Sequence, residues 1–137
     1  MILVSACLLG VDCKYSGKSN DSEAVRDYLK GKIFVPVCPE QLGGLPTPRP
    51  TCEIVGDRVI NEHGEDCTMQ FVKGAEEVVK IAELLNVNEA LLKEGSPSCG
   101  CNRIYDGTFS GSKIAGAGLT AKMLKSRGIL VMSDEEL

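Results

Sequence analysis

Four cysteines fall in short motifs far apart in the chain: Cys7 and Cys13 in "SACLLGVDC", Cys38 in "VCPE" and Cys99 in "SPSC". Thiolates attack electrophiles and bind soft or borderline metals, whether zinc, cuprous copper or iron–sulfur clusters. Structural zinc sites show paired C-x2-4-C knuckles. Here the closest pair is Cys99-Gly-Cys101, and no C-x-x-C exists. A cluster built from dispersed cysteines fits this spacing, and so does plain packing. The single histidine, His63, sits in the polar turn "NEHGED", which disfavours a Cys–His or Ser–His nucleophile pair.

Two other residue types stand beside these thiols. Glu40 follows Cys38-Pro39; a carboxylate held near thiols and away from water has a raised pKa and suits a general base. Ser96 and Ser98 bracket Pro97 just before Cys99, where a hydroxyl could hold a water or a substrate, or simply make a turn. The glycines of "CLLG" and "GSPSCG" match neither a phosphate loop nor a dinucleotide fingerprint. Cys52 and Cys67 read as core or surface residues, and Cys101 as a spare loop residue.

The elements that must position these groups alternate. Residues 2–6 read as a buried strand and "SEAVRDYLK" as a helix capped by the polar run before it and stopped by Gly31. "KIFVPVC" is a second strand whose Pro36 suits an edge. "PEQLGGLPTPRP" reads as an ordered loop without regular structure, and "CEIVGDRVINEHG" as a hairpin turning at Gly56-Asp57. Residues 67–86 form the strongest helix, with Phe71, Ala75, Val78, Val79, Ala82 and Leu85 at helical spacing and Asp66 or Thr68 as cap. "EALLKE" is a strand, residues 95–118 a long glycine- and serine-rich loop, "LTAKMLKSRG" a helix and "ILVMS" the last strand.

This order predicts one α/β domain over residues 1–137: a mainly parallel, Rossmann-like sheet flanked by helices, with an inserted hairpin. Ligands of such sheets bind beyond the carboxyl ends of the strands. Cys7 closes the first strand, Cys38 the second, and Cys99 lies a few residues past the third, so the four thiols should meet at one edge.

Whole-chain properties narrow the function classes. A net charge of −4 carries no bulk nucleic-acid signal. No apolar run approaches the roughly 20 residues that span a bilayer, and "MILVSACLLG" lacks the basic start of a signal peptide. Seven cysteines, an odd number, point to metal or catalysis in the reducing cytoplasm rather than to disulfide staples.

Together, "VSACLLGVDCKYSG", "VCPEQLGGLPTPRP", "KEGSPSCG" and "RIYDGTFSG" resemble the family formerly termed domain of unknown function 523, which includes the thiouracil desulfidases; the likeness runs from about residue 2 to residue 132. The resemblance implies a 4Fe–4S cluster held by three cysteines with one iron open, and non-redox removal of sulfur from a small thiolated base such as thiouracil. The family's motif cysteines fall on Cys7, Cys13, Cys38 and Cys99, three of them ligands. Its catalytic glutamate falls on Glu40 and its serine on Ser96. Ser98, with Asp106 and Thr108 of "YDGTF", is placed at the substrate by loop position. The chain departs from the family's usual Arg-Tyr-Asp-Gly with Lys14-Tyr15-Ser16-Gly17, which removes an acid near the expected pocket, and it has Thr51-Cys52 after the proline-rich loop. The rival reading is a zinc- or thiol-based binding or sulfur-transfer module without cluster catalysis.

Overall fold

A computed structural model describes residues 1–137. Four strands, β1 (Ile2–Ser5), β2 (Phe34–Val37), β5 (Glu89–Leu92) and β8 (Leu130–Ser133), form one all-parallel sheet in the order β2-β1-β5-β8. Two short antiparallel hairpins, β3–β4 (Cys52–Val55 with Arg58–Asn61) and β6–β7 (Arg103–Tyr105 with Lys113–Ala115), lie outside it. The central strands β1 and β5 bury nearly every residue because both of their faces are covered. Strand β2 is an edge; its Pro36 pairs with Val4 without needing to donate outward, and Phe34 and Pro36 are exposed.

The crossovers divide the helices between the two faces. Helix α1 (Glu23–Leu29) buries Val25 and Leu29 against Ile2, Val4 and Leu91 on one face. Its cap is Ser22, whose Oγ accepts the Val25 N–H at 3.2 Å. Helices α3 (Thr68–Leu84) and α4 (Leu119–Ser126) cover the other face, burying Val78, Val79, Ala82, Ala121 and Leu124 against Leu3, Ala90 and Leu92. The helical stripe expected on α3 is buried except for Leu85, which ends the helix and is half open to solvent. Asp66 accepts the Thr68 N–H at 2.9 Å, while Thr68 Oγ1 instead accepts from the Val59 N–H at 2.8 Å.

The fold departs from the sequence reading in two places. The proline-rich segment is not wholly irregular: Pro39–Leu42 forms a one-turn helix, α2, because Pro39 at the first helical position has its φ pre-set and no N–H to lose. The long loop after β5 is partly regular, since β6 and β7 pair within it. Helix α2 crosses α3 at two glycines. A Cβ on Gly74 would lie 2.0 Å from the Pro39 carbonyl oxygen, and one on Gly43 1.9 Å from that of Gln70. This backbone-to-backbone contact seats Glu40 on the sheet edge.

Candidate active site

Strand β1 lies between β2 and β5, so the chain leaves it in one direction and returns past it in the other. The carboxyl ends of these three strands frame the crevice that such a reversal opens. A cavity of about 450 Å³ occupies it, and Cys7, Cys13, Cys38, Cys99, Glu40 and Ser96 all line it. The expected convergence of the thiols is therefore present.

Each group arrives by a short local device. After β1 the chain makes a 3-10 turn, Ala6–Leu9, that ends at Gly10 with φ of 89°, a left-handed conformation suited to glycine. The loop then doubles back, and the Asn20 N–H bonds the Cys7 carbonyl at 2.9 Å. Cys38 ends β2 as the cap residue of α2, which puts Glu40 in the first turn of that helix. After β5, Ser96 Oγ accepts the N–H groups of Ser98 and Cys99, both at 3.0 Å. Two donors on the oxygen leave the hydroxyl proton of Ser96 free to be given to a partner in the cavity.

The thiols differ in their surroundings. Cys13 is almost fully buried, and the Cys38 thiol donates to its carbonyl oxygen at 3.7 Å. Its thiol is pushed far up by the neighbouring Cys38 and Cys7 thiols and by burial, and theirs are lowered by it: the Cys7 thiol falls to about 7, helped by Asn20 against the opposing effect of burial, and Cys38 also falls. Cys99 is buried beside the Ser5 hydroxyl, and burial first, then the Glu40 charge, pushes its thiol up. No three His, Cys, Asp or Glu side chains close on a single-ion site.

Two buried carboxylates share the wall. Burial pushes Glu40 up, opposed by the Arg49 guanidinium, whose Nη2 lies 3.6 Å from Glu40 Oε2. The same Nη2 donates to the Cys13 carbonyl at 2.9 Å, so Arg49 ties the proline-rich loop to the cysteine loop. Burial also pushes Glu94 up, but the backbone N–H groups of Asn102, Arg103 and Cys101 and the Ser133 hydroxyl carry it down to about 2. Glu94 Oε1 accepts those three N–H bonds at 2.9–3.0 Å, closing the Ser96–Cys99 loop onto the end of β5.

Several expected site residues lie elsewhere. Ser98 is fully buried and bonds Thr120 Oγ1 at 2.7 Å, facing α4 rather than the cavity. Asp106 accepts both the N–H and the hydroxyl of Thr108, at 2.9 and 2.6 Å, so the two close a turn on each other and do not line the cavity. From the same hairpin, Tyr105 and Lys113 do line it. The hairpin is held there by Glu53, whose Oε1 accepts the N–H groups of Gly107 and Phe109 at 3.0 and 3.2 Å. Cys67 and Cys101 pack in apolar clusters, and Cys52, on the cavity wall, touches Cys67. Ser16, where the family commonly has an acid, is not on the wall, whereas Lys14 and Tyr15 are.

Sequence reasoning missed Arg49, Lys93 and Glu94 as parts of this wall. The only trace of Arg49 was a cation inside a proline-rich loop with no acid beside it. The trace of Glu94 was a carboxylate at a strand end before glycine.

Fold and site define a class: a parallel α/β domain with a thiol-lined pocket at the switch point of its sheet, equipped with a buried carboxylate and a free serine proton. The 2-thiouracil desulfurase family model matches residues 2–136, and the chain belongs to that family. It is 44% identical over 147 aligned residues to the uncharacterized protein YbbK of Bacillus subtilis strain 168, covering 100% of this chain and 97% of that one. Among solved structures it is similar to the 4Fe–4S-dependent thiouracil desulfidase TudS, with a TM-score of 0.93 and 45% identity, covering 99% of this chain and 91% of the other.

Proposed function

We propose that the protein hydrolyses the carbon–sulfur bond of a thiolated pyrimidine such as thiouracil, without net redox change, at a 4Fe–4S cluster held by Cys7, Cys38 and Cys99. One observation carries this reading: those cysteines follow three neighbouring parallel strands into a single cavity that also holds a desolvated carboxylate. The donor set is all thiol, the usual ligand set of a 4Fe–4S cluster. Cys13, the fourth motif cysteine, is left out of this set because it follows no strand end and its side chain is buried in the loop after Cys7. The zinc and thiol-transfer alternatives lack a comparable geometric support.

The chemistry a bound cluster supplies is Lewis acidity toward the thiocarbonyl sulfur at an iron that no cysteine occupies. Glu40 takes a proton from water, whose oxygen then attacks the carbon bearing sulfur. Ser96 gives its free proton to an acceptor on the base or to the water and fixes its orientation. The carbon–oxygen bond forms, the carbon–sulfur bond breaks, and sulfur departs as hydrosulfide, so thiouracil and water become uracil and hydrogen sulfide. Arg49 keeps the Glu40 carboxylate aimed into the cavity. No helix is long and apolar enough to cross a membrane. Seven free thiols suit the reducing cytoplasm.

The test is anaerobic reconstitution with iron and sulfide, followed by addition of 2- or 4-thiouracil. Sulfide and uracil should appear in equal amounts. A protein that takes up its cluster and releases neither product is not a thiouracil desulfidase.

A further inference from the structure

We propose that Asn20 is a positioning residue that sets the charge carried by the Cys7 sulfur, through a relay of hydrogen bonds running from Lys14 through the Asn20 amide to Cys7 Sγ. The inference rests on the reading of Cys7 as a cluster ligand. Asn20 Nδ2 lies 3.3 Å from Cys7 Sγ, and Lys14 Nζ lies 3.4 Å from Asn20 Oδ1. The orientation of the amide follows from chemistry: an ammonium has donors only, so the oxygen must face Lys14 and the NH2 must face sulfur. Asn20 also bonds Cys7 through its backbone, its N–H donating to the Cys7 carbonyl at 2.9 Å, so both ends of the cysteine are gripped by one residue. The following residue but one, Ser22, repeats the backbone contact to Leu8 at 2.9 Å, which fixes the whole segment along the 3-10 turn.

The Ser5 hydroxyl stands beside Cys99 and a backbone N–H beside Cys38, so the amide at Cys7 is a donor of a different kind. Cys38 Sγ itself points at the Cys13 carbonyl, 3.7 Å away. Asn20 is therefore a dedicated side-chain amide aimed at one ligand sulfur, with a cation behind it. An N–H bond to a thiolate draws charge off sulfur, so less is donated to the metal; hydrogen bonds to ligand sulfurs are among the factors that set cluster potentials. The polar pair Lys14–Asn20 then has a purpose that the general-base chemistry does not supply.

The experiment uses anaerobically prepared holoenzyme. Wild type, Asn20→Leu, Asn20→Ala and Lys14→Met are compared for iron and sulfide content and for midpoint potential by titration monitored with electron paramagnetic resonance. The two Asn20 exchanges are neutral for neutral, so distant charge contributes nothing. Full iron content with a more negative potential is expected for both, with kcat lowered more than KM is raised, and a smaller shift in the same direction for Lys14→Met. Wild-type potential in an Asn20 variant that holds its cluster overturns the proposal; should neither Asn20 variant load, wild-type potential in Lys14→Met does so. Cys7→Ser separates this from the reading beneath it. If Cys7→Ser keeps full iron and an unchanged resonance spectrum, Cys7 is no ligand and both fall. If it loses or alters the cluster while the Asn20 variants keep the wild-type potential, only the relay falls.

Discussion

Glu40 and Glu94 line the same cavity, and each is the first carboxylate on the segment that leaves a parallel strand and leads to or from a site cysteine. By accessibility Glu94 is buried and Glu40 only half-buried. Yet Glu94 is held down to about 2, while Glu40 is pushed up. The difference lies in the donors. Glu94 faces a row of backbone N–H groups that stabilise its charge, and Glu40 has one guanidinium at 3.6 Å to set against its desolvation. Burial alone does not make a base; burial with few donors does. Glu94 holds the loop that carries Ser96 and Cys99, and Glu40 is left with a pKa raised by desolvation.

The sharpest way to break this contrast is to neutralise each carboxylate in turn. Glu40→Gln should lower kcat by roughly 10²–10⁴, the usual contribution of a general base, with iron content and cluster spectrum unchanged. Full activity would remove Glu40 from the chemistry. Glu94→Gln should act on stability instead, costing about 2–3 kcal/mol in anaerobic denaturant unfolding of the holoenzyme, since it removes a charged acceptor from several donors. A pH series adds the sign. Because Glu94 falls from 4.5 to about 2 on folding, its contribution is complete above about 4.5 and is lost as pH drops through about 2. Wild type and Glu94→Gln should therefore converge in stability at low pH; a constant gap would mean that charge is not what Glu94 contributes.

The two carboxylates were unequally legible in the sequence. Glu40 could be read because it stands beside a cysteine at a strand end, where residue type and position coincide. The role of Glu94 depends on the backbone of residues 101–103, and backbone N–H groups leave no mark in residue types. The parallel sheet and the meeting of Cys7, Cys13, Cys38 and Cys99 were legible for a simple reason: short apolar runs alternate with amphipathic helices, and each motif follows a run directly. Strands β6 and β7 were not, being three residues each and rich in charge, without an alternating pattern long enough to see. Ser98 and Thr108 look like site hydroxyls by type, but the turns they occupy point them at Thr120 and Asp106. A hydroxyl's direction is fixed by loop geometry that a linear sequence does not display.

A third variant tests whether position as well as electrostatics separates the pair. Gly74→Ala adds a Cβ where the Pro39 carbonyl already sits, so α2 must move away from α3 and carry Glu40 with it, while Glu94 on the far strand stays in place. The expected cost is about 1–3 kcal/mol in denaturant unfolding, as for other overpacked contacts. Activity should fall as well, at unchanged iron content per folded protein. Loss of stability with full activity would show that the site tolerates displacement of Glu40.

The smallest expected effect concerns the one cation that restrains Glu40. Arg49→Met removes the charge that lowers the Glu40 pKa, so the carboxylate should rise further and the acid limb of the kcat/KM profile should move to higher pH. Since a general base works in its ionised form, the variant loses activity on that limb and recovers most of it on the alkaline plateau. Arg49→Lys keeps the charge but not the planar fork that reaches both Glu40 and the Cys13 carbonyl, so its limb should lie between the two. A uniform loss at every pH would point to the tie between Arg49 and the cysteine loop rather than to the carboxylate. A limb that does not move in either variant would mean that Glu40 is not the group whose ionisation limits the reaction.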